Sequence, residues 1–367
     1  MSIDTLIVNT IRADVRAIGG YHVADASGFI KLDAMENPYQ LPETLRVELA
    51  ERLSQAVLNR YPVPTYATLK EKLCATQGVP AGYDVSLGNG SDELISIVAT
   101  ATARQGHRAI VLAPIPAFVM YPRSAQFAGM DFIGVPLQAD FSLDMPEMLA
   151  AIKEHHPALV FIAYPNNPTG NLYDADDIVA IIEALGETGI VVVDEAYEPF
   201  ARTSFMDRLP QYNNLVVMRT LSKLGLAGIR LGYMSAHPKL LEQFEKVRPP
   251  YNVNILTQVA AEFALDHVDV LNEQAAAINA ERSTMRAALA QLPGVEVFPS
   301  AANFLLLRVP DADRAVAAMV QEKVLIKNLS KMHPLLADCI RVTVSTPQEN
   351  AVFLNILTRL TSPSTTP

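Results

Sequence analysis

Leu215-Val216-Val217-Met218 and, one residue later, Thr220-Leu221-Ser222-Lys223-Leu224-Gly225-Leu226-Ala227-Gly228-Ile229-Arg230 form the stretch from which the fold is read. The apolar, β-branched run predicts a buried strand, which leaves the lysine just past a strand end, where loops carry chemistry. A lysine so placed is a candidate nucleophile. The segment after it is Gly-rich and apolar and holds no second cation before Arg230, surroundings that disfavour the ammonium form and leave a reactive amine. The hydroxyls of Thr220 and Ser222 and the guanidinium of Arg230 suit an anion, a phosphate above all. On its own, Thr220-Leu221-Ser222-Lys223 reads equally well as an ordinary loop at a strand exit.

Its neighbours upstream change that balance. Ile190-Val191-Val192-Val193 runs into Asp194-Glu195-Ala196-Tyr197, a buried-strand pattern that delivers a carboxylate and a phenol at its end. Leu159-Val160-Phe161-Ile162-Ala163 runs into Tyr164-Pro165-Asn166-Asn167-Pro168-Thr169-Gly170, where turn residues fix Asn167. Gly88-Asn89-Gly90-Ser91-Asp92-Glu93 opens a helix-like run. Glycines followed by a Ser or Asp cap would leave backbone N–H groups at a helix N-terminus free to cradle a phosphate. Strand and helix alternate from about residue 85 to 236, which predicts a three-layer α/β domain with a mostly parallel sheet and active groups at its strand ends.

In this order the set resembles the pyridoxal-phosphate aminotransferases of the large family that includes aspartate aminotransferase. Within that family it is similar to the branch acting on histidinol phosphate. Lys31-Leu32-Asp33-Ala34-Met35-Glu36-Asn37-Pro38-Tyr39, Arg60-Tyr61-Pro62-Val63-Pro64, the Gly88 to Glu93 run, Ser222-Lys223 with Arg230, and Arg341-Val342-Thr343-Val344 carry the likeness over nearly the whole chain. It implies fold type I of the pyridoxal-phosphate-dependent transferases plus a small α+β domain. The implied reaction is transamination between L-histidinol phosphate and 2-oxoglutarate, giving glutamate, in histidine biosynthesis.

The resemblance also implies roles. Lys223 would attach pyridoxal 5'-phosphate and shuttle a proton, and Asp194 would pair with its ring nitrogen. Asn167 and Tyr197 would bond its phenolate oxygen, and Phe118 would stack on its ring. Ser91, Asp92, Thr220, Ser222 and Arg230 would hold its phosphate, with Tyr61 reaching that phosphate from the partner protomer of a homodimer. Tyr21, Asn37, Lys327 and Arg341 stand where substrate contacts are expected, Arg341 serving phosphate in one half reaction and carboxylate in the other. Two further readings stay open. One is an aromatic aminotransferase or a phospho-amino-acid decarboxylase with the same cofactor residues; the other is a non-catalytic cofactor-binding regulatory protein.

Composition sets outer bounds. The 367 residues are 50% hydrophobic, enough for one large and one smaller domain with their own cores. Lys+Arg 29 against Asp+Glu 39 gives a net charge of -10, which argues against a nucleic-acid or anionic-membrane surface. Two cysteines, Cys74 and Cys339, offer neither a disulfide framework nor metal spacing. With no apolar run near the ~18 residues of a membrane helix and no signal-like N-terminus, a cytoplasmic soluble protein is expected.

The segmental expectations are an N-terminal arm (1–45) against the small domain and the dimer interface, a large cofactor-binding domain (46–248), a small C-terminal domain (249–361) and a disordered tail (362–367). The arm is expected to carry one short amphipathic helix through Val8, Ile11, Val15 and Ile18, and a second helix to run from 42 to 59. Residues 324–327 are expected as a single strand.

Overall fold

The computed structural model of the chain describes residues 2–20, 25–104 and 108–362. Tyr21 and the expected tail from residue 363 onward lie outside the described residues.

Ile30–Lys31 forms a two-residue strand (β1). Seven strands then build one sheet: Val85–Asn89 (β2), Ile110–Ile115 (β3), Asp131–Pro136 (β4), Leu159–Ala163 (β5), Ile190–Asp194 (β6), Leu215–Thr220 (β7) and Leu231–Ala236 (β8). Their order is β2-β8-β7-β6-β5-β3-β4, and every pairing is parallel except the two made by β8. That exception has a local cause. The link between β7 and β8 is only residues 221–230, too short for the helical crossover a parallel return requires.

Side-chain alternation makes the sheet the middle of three layers. Val160, Ile162, Leu215 and Val217 face one cluster, with Leu69, Leu73, Ile152 and Ile178 of covering helices. Leu159, Phe161, Val216 and Met218 face the other, with Leu94, Val98, Tyr121 and Phe244. Strands buried on both faces read as continuous apolar runs, which is why β5, β6 and β7 stand out in the sequence.

A second, antiparallel sheet holds Glu296–Val297 (β9), Phe304–Arg308 (β10), Lys327–Asn328 (β12) and Cys339–Thr343 (β13), in the order β12-β13-β10-β9. Between them, Val324–Leu325 (β11) pairs in parallel with β1. The expected single strand at 324–327 is therefore two strands in different sheets. Ile326, 8% exposed, sits between them and joins the small-sheet core with Leu32, Phe304, Ile340 and Phe353.

Two helical expectations also change. The N-terminal segment forms two short helices, Ile3–Thr10 and Ala13–Arg16, neither with a buried residue, because the chain turns extended at Ile11 and Arg12. The helix after Pro42 is Glu43–Ser54, ending before the 59 expected from its apolar spacing; Val57, 57% exposed, has no core to hold a further turn. Among the described residues no helix is long and apolar enough to cross a membrane.

Candidate active site

The strands bring the C-terminal ends of β2, β5, β6 and β7 to one edge, and a cavity opens there. Of the residues singled out from the sequence, Ser91, Asp92, Phe118, Asn167, Asp194, Tyr197, Thr220, Ser222, Lys223 and Arg230 line it.

At one end lies an anion cradle. The helix Ser91–Thr102 starts at the end of β2, and its N-cap is Gly90 with φ 81°, not the Ser or Asp side chain expected there. Its φ favours glycine, and a Cβ there would stand 2.6 Å from Arg230 Nη2 and push the guanidinium aside. Arg230 Nη1 donates to Ser222 Oγ at 3.2 Å and Nη2 to Asp92 Oδ2 at 3.4 Å, while the hydroxyls of Thr220 and Ser222 lie 3.0 Å apart. Helix N–H groups, two hydroxyls and a guanidinium are a donor set for a phosphate.

Farther in, the cavity is lined by Asp194, Asn167 and Tyr197. Asp194, the last residue of β6, is 4% exposed and accepts from the Tyr121 hydroxyl at 2.8 Å and the Ala196 N–H at 3.2 Å. Burial pushes its carboxyl up to about 6, against the pull of those two donors. A buried carboxylate in that position is a site for a cation. Opposite, Asn167 Nδ2 donates to the Tyr197 hydroxyl at 3.2 Å, and burial raises that phenol's pKa as well. Tyr121 was not singled out from the sequence. It lies at the start of the helix Met120–Phe127, and its ring meets that of Phe118 edge to face at 5.7 Å, a contact that no local sequence pattern marks. Arg219 was also passed over; its Nε meets Glu195 Oε2 at 2.9 Å, a buried pair that ties the ends of β6 and β7 together.

Lys223 rides the short turn Ser222–Leu226. Its half-buried Nζ donates to the Ala34 carbonyl at 3.1 Å and faces the Tyr197 ring at 5.9 Å. Burial first, then the positive charge of Arg341, lowers its pKa to about 8, with Arg230 adding to the shift and Glu36 and Asp92 opposing it. The turn closes through Gly225 at φ 132°. Asn37 stands outside the cavity and clamps that turn: its Nδ2 donates to the Leu224 carbonyl at 3.1 Å and to Gln274 Oε1 at 3.0 Å. Both amide hydrogens and, through the Tyr39 N–H, its oxygen are engaged, so the structure gives Asn37 a supporting place and not the substrate-facing one expected.

Arg341, 8% exposed, donates from Nη1 to Asn167 Oδ1 at 2.5 Å and from Nη2 to the Asp33 carbonyl at 2.9 Å. Lys327 pairs with it across β12 and β13 but is exposed and lines no part of the cavity. Tyr61 is 80% exposed, stacks on Tyr251 at 4.6 Å and is likewise outside it.

A family model described as aminotransferase class I and II matches residues 27–357. Histidinol-phosphate aminotransferase 2 of Cupriavidus pinatubonensis is 62% identical over 353 residues, 95% of this chain and 96% of the relative. Histidinol-phosphate aminotransferase 1 of Ralstonia nicotianae is 60% identical over 357 residues, 96% and 95% of the two chains. Among solved structures, histidinol-phosphate aminotransferase from Sinorhizobium meliloti in complex with pyridoxal-5'-phosphate aligns with a TM-score of 0.81. It is 23% identical and covers 96% of this chain and 97% of that one, a likeness of fold.

Proposed function

The chain belongs to the class I and II aminotransferases, and from that premise we propose that it transfers an amino group between L-histidinol phosphate and 2-oxoglutarate in histidine biosynthesis, using pyridoxal 5'-phosphate. The observation that carries the chemistry is the meeting of a lysine of lowered pKa, a buried carboxylate held by two neutral donors and a phosphate donor set in one cavity. The choice of substrate rests on relatives at 60 to 62% identity over nearly the full length.

The residues fit the cofactor at three points. Asp194 offers a negative charge to a protonated pyridine nitrogen, which would return its pKa toward the usual carboxylate range. Ser91, Asp92, Thr220, Ser222 and Arg230 would hold the phosphate, Asp92 through its backbone N–H, since its carboxylate already faces Arg230. Phe118 supplies an aromatic face, and Asn167 with Tyr197 supplies donors for the ring oxygen. When bound, pyridoxal phosphate supplies an electron sink for the substrate carbon that loses its proton.

The chain's own groups do the rest. Lys223 would attach the cofactor, and its pKa near 8 leaves a fraction of neutral amine at neutral pH, so Nζ can take the substrate α-proton and return it. Arg341 would orient the substrate anion, phosphate in one half reaction and carboxylate in the other; it does not line the cavity itself but donates to Asn167, which does. In a cytoplasmic homodimer, exposed Tyr61 would reach the partner's phosphate site.

The test is the absorbance of cofactor-loaded protein mixed with L-histidinol phosphate and no keto acid. The yellow band is expected to bleach and to return on adding 2-oxoglutarate, while histidine and phenylalanine leave it largely unchanged. Bleaching by phenylalanine but not by histidinol phosphate would replace the substrate and keep the chemistry.

A further inference from the structure

Met35 lines the cavity with a backbone φ of 52°, the left-handed region in which a Cβ crowds the following carbonyl and which Gly, Asn and Asp visit far more readily. Two buried side chains hold it there. Its N–H donates to Thr343 Oγ1 at 3.0 Å, and its carbonyl accepts from Asn303 Nδ2 at 3.0 Å. Thr343 ends β13 and Asn303 immediately precedes β10, so both anchors belong to the small sheet. The two preceding carbonyls are also engaged, that of Ala34 by Lys223 and that of Asp33 by Arg341.

An unfavourable backbone held from both sides at a cavity signals a geometry that the site requires. Asparagine would satisfy this backbone with less strain, so the backbone does not account for a methionine here. Its side chain does: unbranched, apolar and adaptable, it is 8% exposed and lies one residue from the carbonyl that receives the lysine amine. Resting on the reading of Lys223 as the reacting amine, we propose that Met35 is a positioning residue, held in its left-handed turn so that its thioether walls Nζ off from water.

The charged groups around Nζ are Arg341 and Arg230, which disfavour its ammonium form, and Glu36 and Asp92, which favour it, with the Tyr197 ring at 5.9 Å. The Met35 side chain is neutral, so replacing it with another neutral one removes none of these charges. Burial is the largest cause of the lysine's lowered pKa, and under this proposal Met35, buried on the same cavity, supplies part of it.

The experiment uses the full-length protein without cofactor. Lys223 is labelled with trace acetic anhydride across a pH series, and its modification is quantified by peptide mass spectrometry. The wild-type midpoint is expected near 8. Met35→Asn and Met35→Gly should each move it upward by about one pH unit or more, with circular dichroism showing that both variants are folded. Met35→Leu, apolar and of similar volume, should keep the wild-type midpoint. A wild-type midpoint in both Met35→Asn and Met35→Gly, or an equal shift in Met35→Leu, would overturn the proposal. The readout involves neither cofactor nor substrate, so it stands or fails separately from the histidinol phosphate assay.

Discussion

The two walls of the cavity are built in opposite ways. On the large-sheet side every group sits within a few residues of a strand end: Asp194 and Thr220 are the last residues of β6 and β7, Lys223 follows three residues after β7, and Asn167 four after β5. On the other side Met35 lines the cavity from a segment, 33–35, that has no regular structure and is held by contacts from far along the chain, Asp33 by Arg341 and Met35 by Thr343, each 308 residues away. The first wall is set by strands that the core fixes. The second exists only once the small sheet has folded against it. Chemistry belongs on the first and adjustment on the second, because a sheet edge buried on both faces holds a side chain more tightly than an extended segment does.

The largest effect that can break this division comes from Lys223→Ala. Turnover of histidinol phosphate is expected to fall by about 10⁴-fold or more, since the variant removes the group proposed for both attachment and proton transfer. The fold should stay intact by circular dichroism and thermal melting, as Lys223 Nζ contributes one hydrogen bond and its burial opposes its charge. Activity within tenfold of wild type would mean that the reacting amine lies elsewhere.

Asp194 sharpens the same point through stability. Burial raises its carboxyl from 3.8 to about 6 in the cofactor-free fold. A raised acid contributes stability that is full below the unfolded value and is lost as pH rises through the folded one, here between 3.8 and about 6. Asp194→Asn removes that loss. The cofactor-free variant is expected to be more stable than wild type at neutral pH, on the order of 1 kcal/mol, with no gain below about pH 4. With the cofactor bound the order should invert, because the carboxylate then has its cation. Urea melts at the two pH values decide it, and a variant less stable at both would show that the carboxylate is already compensated within the chain.

The contrast also explains what could be read from the sequence. Asp194, Asn167, Lys223 and Arg230 were legible because each follows an apolar run whose burial on both faces leaves a continuous signature, and a short link then fixes the side chain in space. Asn37 was not, since its partners Leu224 and Gln274 are distant in the chain and no local pattern tells a cavity-facing amide from a clamping one. The split at 324–328 failed for a similar reason: β11 and β12 read as one run, and only the positions of β1 and β13 assign them to different sheets. The phosphate cradle is legible as a helix N-terminus but not in its cap. The helix N-terminus is there, but Gly90 caps it and gives Arg230 room.

Lys327 carries the smallest expected effect and the finest test of the second wall. It lies directly opposite Arg341 across an antiparallel pair, so both side chains leave the same face of the small sheet, yet Arg341 is buried against Asn167 and Lys327 is exposed. An exposed ammonium acts on a dianionic substrate through water and salt, where the interaction is weak and screened beyond about 10 Å at 0.1 M ionic strength. Lys327→Ala is therefore expected to raise KM for histidinol phosphate about threefold at low salt and to have almost no effect at high salt. The like charge opposite Arg341 also costs a little, so the variant should melt no lower than wild type. An increase of tenfold or more that persists in high salt would mean that Lys327 touches the substrate directly. The small-sheet wall would then hold a second binding cation alongside Arg341, and the division between a chemical wall and an adjusting one would no longer hold.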